Sequence, residues 1–217
     1  MILFLLFSIQ LLIGSEELNY SVKIKGIHAG TAVLKIEQHT EEESKITFSV
    51  RSNKLIDFFY KLRDNIHMIV NSKDYSILEI NKSIHQGRYK KNNSAVINYS
   101  TNIIYYNGKE INFKNKIYSP TSLIYFLREQ DLFLNKQFGF QIFENGKVKN
   151  IYVEVLESQM IKINNISYDC YIIKAQLIKK NNLLKEIMTF YIDKSTSQIP
   201  VMIKSKIKQG EMVLIIK

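Results

Sequence analysis

Several residue types are scarce in this 217-residue sequence, and each scarcity removes a class of structure. Tryptophan is absent, proline occurs twice, glycine eight times and cysteine once. So little glycine and proline argues against a low-complexity or disordered chain. The single cysteine, Cys170, cannot form an intramolecular disulfide, and its alternating apolar neighbours predict a buried, inert thiol.

Arginine is also scarce relative to lysine, although the formal net charge is +10. Nucleic-acid sites favour arginine for bidentate contacts to phosphates and bases, so we expect no nucleic-acid partner. Lysine acts as a point charge, which suits anionic lipid headgroups or an acidic polysaccharide. The arginines are Arg51, Arg63, Arg88 and Arg128.

One apolar run stands apart from the rest of the chain. Residues 1–13 read MILFLLFSIQLLI and precede Gly14 and Ser15, after which Glu16 and Glu17 begin a polar sequence. The run is shorter than the roughly 20 residues that span a bilayer. It predicts a secretory signal peptide over residues 1–15, with an uncleaved anchor as the alternative because no Lys or Arg precedes it. We therefore expect a periplasmic protein, free or resting against a membrane, whose mature chain has no transmembrane segment.

Period-two alternation dominates the remaining sequence and predicts strands with one buried and one solvated face. Residues 20–24 are the first of about a dozen such segments. Gly26 and Gly30 predict a turn between the first two strands, and Asn145–Gly146 predicts a tight hairpin. The strands that we expect near the end of the chain include 151–155, 161–163 and 168–178.

Three segments interrupt this alternation. Residues 55–61 place several apolar residues side by side, which indicates either a short helical turn or a wide loop over the core. Residues 86–93 and 179–182 are polar and basic, and we interpret both as the tips of hairpins.

A helix is predicted over residues 120–130. Pro120 suits its first turn and Ser119 its N-cap, while residues 123, 124 and 127 form one apolar stripe. The predicted fold is mainly β. Residues 16–217 form one domain, a large curved antiparallel sheet or open barrel or half-barrel with this short helix packed against it. Such a shape often encloses a ligand-sized cavity.

Four short motifs carry a family resemblance. They are 27–32 (IHAGTA), 59–64 (FYKLRD) with a following Asp74, 120–128 (PTSLIYFLR), and 190–193 (FYID) with a following Ile199–Val201. Their spacing resembles the exported bacterial family known as domain of unknown function 3108. Ser119 stands where that family usually has Asp, and Tyr191 where it usually has Trp.

The resemblance implies an envelope location and a curved antiparallel β architecture. It implies no reaction, no cofactor and no catalytic residue. The motif residues to which it gives a structural role are Gly30, Asp64, Asp74, Pro120, Ser122 and Pro200.

Candidate catalytic groups form no recognisable constellation. The four histidines lack metal-ligand spacing, so we expect no metal site. Asp57, Asp64 and Asp74 could supply paired carboxylates for acid–base chemistry, but such residues more often lie in turns and caps. A nucleophile at Ser122 with His67 and Asp64 lacks the strand–turn–helix elbow. We expect a protein that is not an enzyme.

Tyr125 and Arg128 are the candidate ligand-binding pair. Their spacing of three makes them neighbours on a helix surface. Arg128 either faces an anionic group at the mouth of a cavity, with Tyr125 beside it, or pairs with a sheet carboxylate such as Asp64 or Asp74.

These features favour a binding module for an apolar or amphipathic envelope component, a lipid or a lipid-linked glycan. An envelope scaffold with a protein partner and no small ligand is the alternative, and a polysaccharide hydrolase ranks third. The sequence assigns no oligomeric state.

Overall fold

The computed structural model describes residues 14–178, 184–207 and 210–217. The apolar run of the predicted signal peptide and the predicted tip at 179–182 lie outside the described residues. Within them the chain forms fifteen strands and two helices, α1 (Lys54–Phe59) and α2 (Pro120–Arg128). The strands are β1 (Ser15–Ile24), β2 (Ile27–Gln38), β3 (Glu43–Ser52), β4 (Leu62–Asn71), β5 (Ile77–Gln86), β6 (Tyr89–Asn98), β7 (Ile103–Tyr106), β8 (Lys109–Asn112), β9 (Ile117–Tyr118), β10 (Gln137–Glu144), β11 (Lys147–Ile163), β12 (Ile166–Ile178), β13 (Leu184–Asp193), β14 (Pro200–Ile207) and β15 (Gly210–Ile216).

All these strands belong to one curved sheet, in the order 8-7-6-5-4-3-2-1-15-14-13-12-11-10-9. β1 pairs with β15, so the first and last strands lie side by side and each half of the chain meanders outward from them. Neighbouring strands are antiparallel except β9 and β10, which are parallel. The predicted mainly β architecture with a large curved antiparallel sheet is confirmed.

Side chains bring the two edges of the sheet towards each other. The Tyr106 ring of β7 packs edge-to-face on Phe143 of β10, with ring centroids 5.3 Å apart. The backbone amides of Lys114 and Asn115, just after β8, donate to Oε1 of Gln141 in β10. The sheet is therefore curled into a barrel-like shape whose edges meet through side chains rather than through a backbone ladder.

The alternating strand directions place each of the described turns at one of two ends of this barrel. We call one the open end; it carries the turns at 25–26, 53–61, 87–88, 107–108 and 145–146. We call the other the helix-filled end; it carries the turns at 39–42, 72–76, 99–102, 129–136, 164–165 and 194–199.

Helix α2 lies inside the curled sheet and ends at the helix-filled end. Ser119 and Ser122 form the predicted cap reciprocally: the Ser122 amide donates to Ser119 Oγ at 2.9 Å, and the Ser119 amide donates to Ser122 Oγ at 3.0 Å. Pro120 occupies the first turn, where its missing N–H costs nothing. Six of the nine helical residues are buried, and Phe126 packs edge-to-face on Phe140 of β10. The predicted helix packed against the sheet is confirmed.

Of the two alternatives for residues 55–61, the short helical turn is confirmed: α1 spans Lys54–Phe59 on the outside of the sheet and buries none of its residues. The wide loop over the core does not form. The segment 86–93 is not a long tip, because the turn is only Gly87–Arg88 and residues 89–93 already pair with β5. Antiparallel pairing satisfies the backbone whatever the polarity of the side chains, so a polar segment continues as a strand.

Gly30 lies within β2 and not in the first turn, which is formed by Lys25 and Gly26. A Cβ at position 30 would lie 2.0 Å from the carbonyl oxygen of Arg51 and 2.7 Å from Cα of Ser52, so only glycine lets β2 and β3 approach here. The role of Gly30 is therefore to allow β2 and β3 to pack closely.

The predicted strands 151–155 and 161–163 are one strand, β11, in which the register shifts between Val155 and Glu157. That irregularity breaks the period-two pattern and accounts for the error. Cys170 is buried in β12, as predicted. In the described part of the chain no helix is long and apolar enough to cross a bilayer.

Candidate functional site

Arg128, at the last turn of α2, is bound by groups of the protein itself. Its Nη1 and Nη2 donate to Oε2 and Oε1 of Glu16 at 2.5 and 2.7 Å, and Nη2 also donates to the Ser197 carbonyl at 2.9 Å. The partner is thus Glu16 of β1, not Asp64 or Asp74. Because a bidentate ion pair already uses the guanidinium, a ligand anion would have to compete with Glu16. The ligand-binding role of this residue stays a prediction.

Tyr125 belongs to a buried aromatic cluster at the same end. Its ring stacks on Tyr75 with centroids 5.9 Å apart, and the Arg128 guanidinium lies 5.5 Å from its centroid. Burial raises the pKa of Tyr125 well above its ordinary value, so the phenol stays neutral. Nearby, the Tyr20 hydroxyl donates to the Pro200 carbonyl at 2.9 Å. The cluster joins α2 to β1 and β14, which gives the motif residue Pro200 a place in the core.

The three candidate carboxylates lie in separate environments. Asp57 of α1 pairs with Arg63 of β4. Asp74, in the loop after β4, accepts from the Ser76 amide at 2.9 Å and lies 3.2 Å from Nζ of Lys116. Partial burial opposes its ionisation, but these hydrogen bonds outweigh it and lower its pKa. The structure therefore forms no acid–base pair from these aspartates.

Asp64 faces the interior of the open end. Its carboxylate accepts from the His85 amide at 3.2 Å and from Nε2 of Gln86 at 2.6 Å. Burial raises its pKa despite these two hydrogen bonds. Its position is therefore that of a partly desolvated carboxylate inside the barrel.

The proposed nucleophile arrangement is not assembled either. Ser122 is fully buried and its Oγ serves the helix cap. His67 lies on the outer face of β4, where Nδ1 is 3.4 Å from Oγ1 of Thr47. Within residues 14–178, 184–207 and 210–217, no three His, Cys, Asp or Glu side chains are grouped to hold a metal ion.

An apolar cavity of about 110 Å³ opens inside the open end. Helix α2 begins near the middle of the barrel and runs away from this end, so the cavity space is left to strand side chains. Its polar groups are Asp64, Gln86 and Tyr60, and the remaining walls are aliphatic and aromatic. Among the lining residues are Ile24, Phe48, Ile66, Ile207 and Met212.

A second cavity of about 130 Å³ is lined by Ser205 and Lys206 of β14 together with residues of β10–β13. Pro120 lies against it, and its polar wall includes Glu144 and Lys149, whose carboxylate and ammonium groups pair at 2.5 Å. Lys82 lies close to this pair. Burial lowers its pKa, and the Glu144 charge opposes that shift. The open end therefore combines apolar walls with a few desolvated charges.

Sequence reasoning missed Lys82, Glu144 and Lys149. The available signal was their register: Lys82 follows the buried Ile80, and Glu144 follows the buried Ile142, each two residues later on the inward face. A charged residue at a strand position that faces inward places a charged group inside the curved sheet.

Two larger grooves, of about 300 and 340 Å³, lie across β5 and β6. Ser83 and Asn92 line both. Their walls are mostly Asn, Ser, His and Lys side chains, so they offer hydrogen-bond donors and acceptors rather than an apolar surface.

Comparison with known proteins agrees with this architecture. The structure is similar to the crystal structure of a β-barrel-like protein of domain of unknown function DUF1849 from Brucella abortus, with a TM-score of 0.60 and 10% sequence identity over 95% of this chain and 96% of that chain. At this identity the likeness concerns the fold alone. Among curated proteins none matches the chain. The model of the family described as protein of unknown function (DUF3108) matches residues 19–217, and the chain therefore belongs to that family.

Proposed function

We propose that this protein is a non-enzymatic module of the bacterial envelope that binds an apolar or amphipathic molecule, a lipid or a lipid-linked glycan. The observation that carries the proposal is the incompletely filled interior of the open end. A soluble domain normally packs its interior without voids, because each void forfeits dispersion contacts. Here apolar walls such as Phe48 and Ile66 surround space that a ligand would fill.

The size of the cavities limits what enters. Each is smaller than the roughly 300 Å³ of a typical small-molecule site. They suit the end of an acyl or isoprenoid chain better than a whole amphiphile. The polar grooves across β5 and β6 lie on the outer face of the sheet, since Ser83 and Asn92 alternate with the inward Lys82 and Asn93, so they are separate from these cavities.

Export is part of the proposal and is supported by the sequence. The apolar run of residues 1–13, followed by small Gly14 and Ser15, has the pattern of a secretory signal peptide. An envelope location would expose the module to lipids and lipid-linked glycans. The test is the size of the chain recovered from the periplasm: cleavage after position 15 supports it, and full-length chain in the cytoplasm contradicts it.

The binding test uses the protein purified from an envelope fraction and a fluorescent fatty acid, 11-(dansylamino)undecanoic acid, as the probe. Ile66→Trp fills the apolar cavity, whereas Asn65→Trp places the same side chain on the outer face of the same strand. Excluding about two methylene groups from the cavity weakens probe binding about tenfold. We expect that loss for Ile66→Trp and none for Asn65→Trp. Equal affinity of the two variants, or no saturable binding to the unaltered protein, would contradict the proposal.

One observation favours the alternative, a scaffold with a protein partner. β10 pairs with β11 only up to Glu154, so residues 156–163 of β11 pair with β12 alone among the described strands. Leu156 and Met160 are exposed along this segment, 37% and 61% respectively. An unpaired, partly apolar edge can accept a strand from another chain. Cross-linking from Met160→Cys in an envelope fraction tests this: a discrete adduct supports a protein partner.

A further inference from the structure

We infer that the protein docks on an anionic lipid bilayer through a surface at the open end, which we call the docking face and define as Ile27, Leu55, Phe58 and Phe59. These side chains are 63%, 71%, 85% and 79% exposed. Scattered exposed apolar residues are ordinary, but four large ones on one helix and one adjacent turn form a contiguous feature. The inference concerns a surface outside the cavity and does not depend on the proposed ligand.

Helix α1 is amphipathic in the reverse of the usual sense. A surface helix normally turns its apolar side inward and its charges to water. In α1 the acidic residue Asp57 is on the inner side, where it pairs with Arg63 of β4 and accepts a hydrogen bond from Ser52 of β3, while Lys54 is exposed. Arg63 Nη1 further donates to the Leu62 carbonyl at 2.7 Å and the Ser52 carbonyl at 3.1 Å. Polar anchors thus hold the helix while Leu55, Phe58 and Phe59 point outward.

The start of α1 is fixed to the first turn of the sheet. The Asn53 amide donates to the Ala29 carbonyl at 2.9 Å, and its Nδ2 donates to the His28 carbonyl at 3.1 Å. Asn53 Oδ1 also caps the helix by accepting from the Ile56 amide at 2.9 Å. These bonds hold α1 beside the turn that carries Ile27, so the docking face is preformed.

The surroundings of the docking face are basic. Segments 23–28, 51–63 and 86–91, which form neighbouring turns of the open end, contain nine basic residues and one acidic residue, Asp57, whose charge Arg63 neutralises. An apolar surface with a basic rim matches the acyl region and the anionic headgroups of a bilayer. The basic residues are Lys23, Lys25, Arg51, Lys54, Lys61, Arg63, Arg88, Lys90 and Lys91.

The apolar cavity opens next to this surface. Ile24 lines the cavity and precedes the turn that carries Ile27, while Tyr60 lines it and follows α1 directly. Docking through α1 would therefore bring the mouth of the cavity to the level of the headgroups. Of the two ends of the barrel, this is the one whose interior is reached from the membrane.

The test is co-sedimentation of the protein from an envelope fraction with vesicles of phosphatidylcholine and about 30% phosphatidylglycerol. The variant Phe58→Gln/Phe59→Gln removes the aromatic pair of α1. The matched control Phe133→Gln/Leu134→Gln removes two exposed apolar residues, 55% and 49% exposed, at the helix-filled end. The four substituted side chains are solvent-exposed, so both variants should fold. Both variants also carry the same N-terminal segment, so that segment cannot cause a difference in vesicle binding between them. We expect binding to fall about tenfold or more in the first variant and to stay unchanged in the control.

Emission spectroscopy gives a second readout. The chain contains no tryptophan, so Phe58→Trp and Phe133→Trp each introduce a single indole whose emission can be excited apart from that of the tyrosines. Transfer of an indole from water into the interfacial region shifts its emission to the blue. We expect that shift with anionic vesicles for Phe58→Trp and not for Phe133→Trp.

Charge is tested with Lys54→Gln/Lys61→Gln against Lys73→Gln/Lys114→Gln, which removes two exposed lysines at the helix-filled end. About 0.5 M salt or pure phosphatidylcholine vesicles should weaken binding, and the first pair should weaken it more than the second. Absence of binding to anionic vesicles, equal loss in both phenylalanine-site variants, or equal binding to neutral vesicles would each overturn the inference. The inference would also be overturned if α1 were needed for binding to another protein of the envelope fraction and not for binding to vesicles.

Discussion

The two ends of the barrel are built in opposite ways. At the helix-filled end, α2 places Leu123 and Leu127 in the interior, and the Arg128–Glu16 pair lies where the helix meets β1. At the open end, Phe58 and Phe59 are outside, while Asp64 and Lys82 face the interior. Both ends hold charged groups in the interior and expose apolar side chains, as Phe133 and Leu134 do at the helix-filled end; they differ in that α2 fills the interior of one end while a cavity remains in the other.

Charge follows the same division. Residues 37–43 at the helix-filled end contain four glutamates and no Lys or Arg, whereas residues 51–63 at the open end contain four Lys or Arg residues and one aspartate. The net charge of +10 is therefore not spread evenly over the barrel. Composition alone therefore does not reveal this uneven distribution of charge, which depends on the strand order.

The largest expected difference between the ends is in packing. Leu127 of α2 is fully buried, and Leu127→Ala should lower the free energy of unfolding by about 2–5 kcal/mol, since it leaves a cavity in a filled core. Met212, which lines the apolar cavity, is only partly buried, and Met212→Ala should cost about 1 kcal/mol because its surroundings already lack contacts. Urea unfolding of both variants measures this. Equal costs would show that the open end is packed as tightly as the other.

A second comparison concerns ion pairs. Arg128 is 10% exposed and Glu16 35%, so Arg128→Met leaves a partly buried carboxylate without its partner and should cost about 1–3 kcal/mol. The cycle with Glu16→Gln isolates the pair, with an expected coupling of about 1–2 kcal/mol. The matched pair at the open end, Lys206 and Glu211, is exposed and 3.5 Å apart, and should show a coupling below about 0.5 kcal/mol. Similar coupling energies in both cycles would show that the partly buried pair is no stronger than the exposed one.

Local sequence signals predicted the parts of the fold that depend on neighbouring residues. Alternation predicted most strands, and Ser119 with Pro120 predicted the start of α2, because cap chemistry needs only residues within one turn. The Asn145–Gly146 hairpin was found for the same reason, since both residues have positive φ, 51° and 74°.

Long-range partners escaped sequence reasoning. Glu16 and Arg128 lie 112 positions apart, and the sheet carboxylates named as possible partners of Arg128 were Asp64 and Asp74. The segment 55–61 was predicted as a short helical turn or a wide loop over the core; it is the helix α1, and the pairing of Asp57 with Arg63 holds it on the outside. In both cases the orientation depends on which strand lies opposite, which only the strand order determines.

The smallest expected effect uses Asp64 and Asp74, one at each end, and their contributions have opposite signs. Burial raises the pKa of Asp64 above its ordinary 3.8, so the folded state binds more protons than the unfolded state. Asp64 therefore favours the folded state most below the unfolded pKa, and this contribution is lost as pH rises through the folded pKa. Hydrogen bonds lower the pKa of Asp74 below 3.8, so its contribution is present above the unfolded pKa and is lost as pH falls through the folded pKa.

Thermal unfolding of Asp64→Asn and Asp74→Asn between about pH 6 and 3 separates the two residues. As the pH falls from 6 towards 4, the unaltered protein should gain in Tm relative to Asp64→Asn, since its carboxyl takes up a proton that the folded state prefers. Below about pH 4 it should lose in Tm relative to Asp74→Asn, since a hydrogen-bonded carboxylate is neutralised. The matched substitutions remove the same charge, so a difference in sign reports only the surroundings. Shifts of the same sign would mean that Asp64 is solvated like a surface carboxylate, and the open end would then have no desolvated interior to offer a ligand.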